Sequence, residues 1–240
     1  MEFSTHYSLN SLVASGRRKA VDKEVVSFDL FDTLLVRRIH DPDLVKLPVA
    51  QYISTLAKQQ GRQWRAHTIQ KRRDSIEQRH RDETGRTFID HEACYPRFMA
   101  ELLRELFQDL YSQELLDKVT AYEIAMENSM LVPRAIIVDW MQELVEARKK
   151  IFIISDMYLP SSHLRQLLSH AGVNDLVTEV VSSADTFLAK ASGKAYHLIA
   201  EKFSLSPKAW LHVGDNPISD GLRAVEAGIE AMIIRDPKEE

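Results

Sequence analysis

One stretch constrains this chain more than any other: Val25-Val26-Ser27-Phe28-Asp29-Leu30-Phe31-Asp32-Thr33-Leu34-Leu35, an apolar run that breaks at two carboxylates and resumes at once. Apart from one serine, Val25 to Phe28 are β-branched or aromatic, the composition of a strand buried on both faces. Such a strand belongs in a parallel sheet covered by helices, and Asp29 then stands at its C-terminal end. Open parallel sheets bind ligands at that end, because the loops leave there and the following helices aim their N-termini at anions. The same residues also fit a strand followed by an Asx turn at Asp32, with no chemistry attached.

Three later stretches bear on that choice. Ile151-Phe152-Ile153-Ile154-Ser155-Asp156 reads as another buried strand ending in a hydroxyl, and Trp210-Leu211-His212-Val213-Gly214-Asp215-Asn216 as a third ending in a carboxylate. Between them Lys190, in Leu188-Ala189-Lys190-Ala191-Ser192-Gly193-Lys194, precedes a predicted helix. Singly Ser155 could be a turn hydroxyl and Lys190 a surface lysine. Together they supply a nucleophilic carboxylate, a hydroxyl donor, an ammonium and a metal-binding carboxylate, a set suited to phosphoryl chemistry.

The pattern around these stretches sets the architecture. From about Pro42 to Pro133 every segment reads as helix, with Leu102, Leu103, Leu106, Phe107 and Leu110, then Leu115, Leu116, Val119, Tyr122 and Met126, at helical spacing. The charge-dense piece Arg62 to Arg86 mixes both signs at i,i+4 spacing and predicts a solvated helix laced with weak ion pairs. Beyond Pro133 helices and strands alternate: strands at Ile151–Ser155, Val177–Val181, Trp210–Val213 and Ala231–Ile234, and helices at Ala195–Phe203 and Leu222–Ala227 among others. That alternation implies a parallel sheet with helices on both faces. Met1 to Glu24 predicts a short helix carrying no identifiable chemistry.

Composition excludes several classes. A chain of 240 residues, 45% hydrophobic, holds one large domain or a core with an insertion. A formal net charge of -4 argues against coating nucleic acid and against a polybasic membrane anchor. Cys94 is the only cysteine, so no internal disulfide forms, and it is expected as a small buried hydrophobe. His91 lies three residues away, but no second pair at zinc spacing exists. The N-terminus lacks a basic region followed by an apolar one, and no run approaches the ~20 apolar residues of a membrane span. The expectation is a cytoplasmic protein whose partners include neither membrane nor nucleic acid.

In this order the motifs resemble those of the haloacid dehalogenase (HAD) superfamily of hydrolases, over nearly the whole chain after the first two dozen residues. Asp29 falls on the family's nucleophile, Thr33 on the threonine of the same motif, Ser155 on the second motif, Lys190 on the third, and Asp215 with Asp220 on the acidic fourth. Gly214-Asp215-Asn216-Pro217-Ile218-Ser219-Asp220 is the most specific piece. The resemblance implies a doubly wound, Rossmann-like α/β core from residues 1–40 and 134–240. Residues 41–133 would be an all-helical cap of the first type, closing over the site. It further implies a small phosphorylated substrate, such as a sugar phosphate or nucleotide, and an aspartyl-phosphate on Asp29. Mg2+ would be held by Asp29, the Phe31 main-chain carbonyl, Asp215 and Asp220, with phosphate bound by Ser155, Asp156 and Lys190.

One departure matters. The family's phosphatases carry a second aspartate two residues after the nucleophile, where this chain has Phe31. In the resemblance that aspartate protonates the leaving group and activates water, work worth roughly 10² to 10⁴ in rate. Asp32 replaces it only if the turn re-aims its side chain, since neighbours on an extended chain face opposite sides. An aromatic residue at that position also occurs in the superfamily's dehalogenases, which displace halide from carbon without a metal. A third reading is a HAD-like module that kept the site but binds or regulates.

Overall fold

The computed structural model describes residues 2–39 and 41–235; Met1, His40 and residues 236–240, all assigned to the core by sequence, lie outside the described residues. The first half of the chain forms β1 (Ser4–His6), α1 (Leu9–Lys19), β2 (Val25–Phe28), β3 (Leu35–Arg37), α2 (Lys46–Gln59), α3 (Ala66–Thr84), α4 (Tyr95–Phe107) and α5 (Gln113–Met130). The second half forms β4 (Leu131–Pro133), α6 (Ala135–Glu146), β5 (Lys150–Ser155), α7 (Ser161–His170), β6 (Glu179–Ser182), α8 (Ser183–Thr186), α9 (Lys194–Lys202), β7 (Trp210–Gly214), α10 (Arg223–Glu226) and β8 (Glu230–Ile234).

Six strands make one sheet in the order β1-β8-β7-β2-β5-β6, and every neighbouring pair is parallel. The fold is thus the expected doubly wound α/β sheet. Side chains alternate across it with the period of two that a pleated strand imposes. Val26, Phe28, Ile151, Ile153 and Val213 join a core with α1, α6 and the helices before β4. Val25, Phe152, Ile154 and Trp210 face the other way, onto Tyr196 and Ile199 of α9 and Ala224 of α10. On the first face the Trp140 ring meets Phe28 edge-on at 5.3 Å. Gly16 of α1 admits that ring, since a Cβ there would lie 2.4 Å from it.

Helices α2 to α5 occupy the chain between β3 and β4, which pair antiparallel from Leu35 opposite Pro133 to Arg37 opposite Leu131. The pairing corrects the reading of 42–133 as helix throughout. Pro133 disfavours helical backbone at Val132, so the chain leaves α5 extended and finds the edge of β3. Tyr95 at the start of α4 donates its N–H to the carbonyl of Tyr158, in the loop that follows β5, at 2.8 Å.

Other expectations shift as well. Ser4–His6 forms an edge strand that its polar, short sequence did not announce. Val177 precedes its strand, which begins at Glu179 after a 3₁₀ turn at Asn174–Leu176. The helix expected at Leu222–Ala227 is α10, Arg223–Glu226, and an unforeseen π-helical turn, Pro217–Leu222, leads into it. Leu110 is exposed in a 3₁₀ turn after α4 and leaves that helix's apolar face.

The charge-dense helix is only partly solvated. Arg73 of α3 is 1% exposed and forks onto Glu123 of α5, Nη1 to Oε2 at 3.0 Å and Nη2 to Oε1 at 2.5 Å. Helical spacing explains the exception, because Ile69, Arg73 and Ile76 share the buried face of α3. Cys94 is half-buried ahead of α4. Among the described residues no helix is long and apolar enough to cross a membrane.

Candidate active site

Three strands end together and deliver their motifs to one cleft of about 440 Å³. Asp29 follows β2, Ser155 closes β5 and Asp215 follows β7; Lys190 reaches in from the loop before α9, and Asp220 from the π-helical turn. Phe31, Asp32, Asp156, Asn216 and Ile218 complete the lining used below. The parallel register sets the spacing, since Phe28 stands beside both Ile153 and Val213 and Asp29 donates its N–H to the Val213 carbonyl at 2.8 Å.

Lys190 is 2% exposed, far from a surface lysine's ordinary fate. Its ammonium bridges Asp29 Oδ1 at 2.5 Å and Asp220 Oδ1 at 2.6 Å. The loop is held on two sides. Asp156 accepts the N–H groups of Lys190 at 2.9 Å and Ala191 at 3.0 Å. Asp90, from the segment between α3 and α4, accepts Ala189 N–H at 2.7 Å and the Ser192 hydroxyl at 2.6 Å. Both oxygens of Asp156, expected by sequence to contact phosphate, are thus engaged by the lysine loop at the cleft wall, and burial raises its pKa.

Asp220 is fastened at both oxygens, Oδ2 accepting Asn216 N–H at 3.1 Å while Oδ1 takes Lys190 and His212. Asn216 caps the π-helical turn, its Oδ1 accepting the N–H groups of Ile218 and Ser219. Gly214 is required here, because a Cβ would sit 2.3 Å from the Asp220 side chain. Thr33 is fully buried, its Oγ1 at 3.5 Å from Asp215 Oδ1.

The electrostatics are unbalanced. Asp29, Asp215 and Asp220 each bring an oxygen to within 4.8 Å of the others, and Lys190 is the one cation among the described residues lining the cleft. Burial, with Asp220 and Asp215 nearby, pushes Asp29 up to about 8 despite Lys190. Burial and Asp220 push Asp215 up to about 6. Asp220 goes the other way: burial opposes its ionisation, but Lys190 and His212 hold it below the usual carboxylate range. Three carboxyl groups sharing one ammonium leave an excess of negative charge that a divalent cation fits, and their oxygens lie close enough for one octahedral ion. Such an ion would be held by Asp29, Asp215 and Asp220.

Phe31 lines the cleft in the position where an acid was expected, and the Arg37 guanidinium lies 4.1 Å from its ring centroid. The next residue turns sharply: Asp32 has φ +60°, in the left-handed region. Asp32 also lines the cleft beside Phe31, its half-exposed carboxylate 3.2 Å from Arg37 Nη1.

Sequence reasoning missed three residues: Asp90, Ser27 and His212. Asp90 has no motif around it, while Ser27 and His212 stood in view as the polar interruptions of two apolar strands. Both are fully buried and mutually bonded at 2.7 Å.

The family profile described as haloacid dehalogenase-like hydrolase matches residues 23–228. No curated protein sequence matches significantly. Among solved structures, a 2-haloacid dehalogenase from Pseudomonas syringae pv. Tomato DC3000 superposes with a TM-score of 0.62 at 17% identity, over 88% of this chain and 86% of that one. A HAD family enzyme from Bacteroides thetaiotaomicron gives 0.56 at 16% identity, over 90% and 96%. An L-2-haloacid dehalogenase from Xanthobacter autotrophicus, with chloropropionic acid covalently bound, gives 0.50 at 20% identity, over 87% and 76%. At these identities the likeness is one of fold, and the profile match over most of the chain assigns the rest: this protein belongs to the haloacid dehalogenase-like hydrolases.

Proposed function

We propose that the chain is a magnesium-dependent phosphoric monoester hydrolase of a small phosphorylated metabolite, acting through Asp29. The observation that carries this reading is the excess of carboxylate in the cleft, three groups within 4.8 Å around a single ammonium. A nucleophile that needed no metal would gain nothing from Asp215 at its side, since a like charge in a buried cleft only raises its pKa.

In this mechanism an Asp29 oxygen attacks phosphorus, the new P–O bond forms as the ester P–O bond breaks, and water then cleaves the aspartyl-phosphate. Bound Mg2+ would mask the repulsion between Asp29 and the incoming phosphate. Lys190 neutralises charge growing on the phosphoryl oxygens, and Ser155 donates its hydroxyl to one of them. Asp220 holds Lys190 in place. Phe31 supplies no proton, so the leaving oxygen takes one from Asp32 or departs as the anion. We further assign residues 41–133 as the cap that selects the substrate, over a core of 1–40 and 134–240.

Phe31 and the fold shared with two haloacid dehalogenases favour a second reading, displacement of halide from carbon by the same carboxylate. One experiment separates the two. Purified protein is assayed with para-nitrophenyl phosphate and with 2-chloropropionate, each with Mg2+ or with a chelator. Magnesium-dependent nitrophenol release is the expected result. Chloride release that survives chelation assigns the dehalogenase, and activity on neither substrate leaves the binding module as the better account.

A further inference from the structure

Behind the cleft runs a chain of hydrogen bonds that no step above uses. Trp210 Nε1 donates to Ser27 Oγ at 2.6 Å, Ser27 Oγ meets His212 Nδ1 at 2.7 Å, and His212 Nε2 meets Asp220 Oδ1 at 3.1 Å. Asp220 Oδ1 in turn accepts Lys190, whose ammonium reaches Asp29. Trp210, Ser27 and His212 are each 0% exposed. They lie on the two central strands, β2 and β7, among apolar side chains where a polar group is costly unless bonded.

Donor chemistry orders the chain in one direction. An indole N–H can only donate, so Trp210 occupies Ser27 as an acceptor. The Asp220 carboxylate, held ionised, can only accept, so the proton of the ring lies on the nitrogen facing it, and His212 Nδ1 accepts the single hydroxyl proton of Ser27. A neutral imidazole carries its one proton on the other nitrogen, Nε2, which faces the Asp220 carboxylate. Tyr196 packs edge-on against the same imidazole at 5.3 Å and confines the ring.

We propose that His212 is a positioning residue for the hydrolytic reaction: fixed as the Nε2–H tautomer by Ser27 and Trp210, it donates to Asp220 and so keeps Lys190 against Asp29. This rests on the reading of Asp29 as the nucleophile, and it holds whether the electrophile is phosphorus or carbon. Without that donor Asp220 keeps the Asn216 N–H on Oδ2 but has only the mobile ammonium of Lys190 to orient Oδ1. The buried indole and hydroxyl, remote from substrate, thereby reach the reacting centre through orientation only.

The first test needs no turnover. Long-range 1H–15N correlation spectra of histidine-labelled protein at neutral pH, with the His212 signals assigned by their loss in His212→Gln, should show the Nε2–H tautomer. In Ser27→Ala, which removes the donor to Nδ1, the Nδ1–H tautomer should appear. An Nδ1–H ring in the parent protein, or a Ser27→Ala spectrum with its tautomer unchanged, overturns the proposal.

The second test reads kinetics on whichever probe the parent hydrolyses. His212→Phe keeps a ring without a donor and should lower kcat on the order of 10- to 100-fold, with KM within about threefold. His212→Gln restores an N–H toward Asp220 and should recover most of that loss. Equal losses in the two variants assign the residue to packing instead and overturn the proposal. If His212→Phe does not fold, the comparison passes to Ser27→Ala, whose kcat should fall about threefold or more as the wrong tautomer populates. A parent that hydrolyses neither probe yet shows the Nε2–H tautomer counts against the catalytic reading of the cleft and not against the hydrogen-bond chain.

Discussion

Two buried clusters of charge lie in this chain, one in the cleft and one among the helices, and they are built on opposite principles. In the helices Arg73 and Glu123 match one to one, forked and closed over by Tyr95, Phe98 and Tyr158 within 5.9 Å of the guanidinium. In the cleft Asp29, Asp215 and Asp220 crowd within 4.8 Å of one another, Lys190 bonds two of them as the one cation among the described lining residues, and the set faces an opening. A matched pair spends its charge on its own partner and holds helices together, whereas the mismatched set retains capacity for a cation. Burial alone therefore does not mark a functional charge; the stoichiometry of the cluster does.

Breaking each cluster should give a different phenotype. The largest effect is expected for Asp29→Asn, with turnover down roughly 10⁴-fold or more and thermal stability unchanged or higher, since a buried carboxyl with a raised pKa has been removed. Lys190→Ala should also be severely impaired in turnover. Wild-type kcat in the Asn variant on a good substrate would remove Asp29 from the mechanism. Arg73→Ala should do the converse, costing about 3–5 kcal/mol in denaturant unfolding because Glu123 is left buried and unpaired. Activity per folded molecule should stay near that of the parent. The double variant Arg73→Met with Glu123→Leu should recover most of the stability.

A third test concerns Glu127, on α5 beside the matched pair. It is 2% exposed with Oε2 unpartnered, and burial raises its pKa from 4.5 to about 7. The folded protein thus keeps a proton that the unfolded chain loses across that window. Stability is full below pH 4.5 and declines as pH rises towards 7. Glu127→Gln should gain up to about 3 kcal/mol at pH 8 and nothing at pH 4, measured by urea midpoints. A gain independent of pH would place the benefit elsewhere.

The smallest expected effect sharpens the account of the cleft. With Phe31 in place of an acid, an aryl phosphate should be cleaved about 10²-fold faster than an alkyl phosphate of equal fit. Phe31→Asp should narrow that ratio. If Asp32 already donates the proton, Asp32→Asn should slow alkyl substrates far more than aryl ones. A flat leaving-group dependence in both the parent and Asp32→Asn excludes either account.

Much of this was legible in the chain because strand ends carry their own signature. An apolar run that stops at a carboxylate or hydroxyl places Asp29, Ser155 and Asp215 at one edge of a parallel sheet, and Lys190 and Asp220 follow from their motifs. What stayed hidden was carried by partners remote in sequence. Asp90 reaches a loop about a hundred residues on, and Ser27 meets His212 on the neighbouring strand. Arg73 was masked by its neighbours: in a helix dense with both signs, only the three-dimensional face separates one buried guanidinium from several solvated ones. β1 and β4 are too short for alternation to emerge, and only their pairing defines them.

The strand order has a consequence for how the protein is made. β2 is synthesised early, yet one of its two neighbours, β7, comes almost at the other end of the chain. At a ribosomal pace of roughly 5–20 residues per second, the apolar strand Val25–Phe28 waits on the order of ten seconds or more with that edge open. Such an edge is a template for pairing with other nascent chains. The centre of the sheet, and with it the meeting of Asp29 and Asp215, is thus among the last things to form, and a ribosome-stalled chain ending before Trp210 should engage chaperones strongly and release them once β7 emerges.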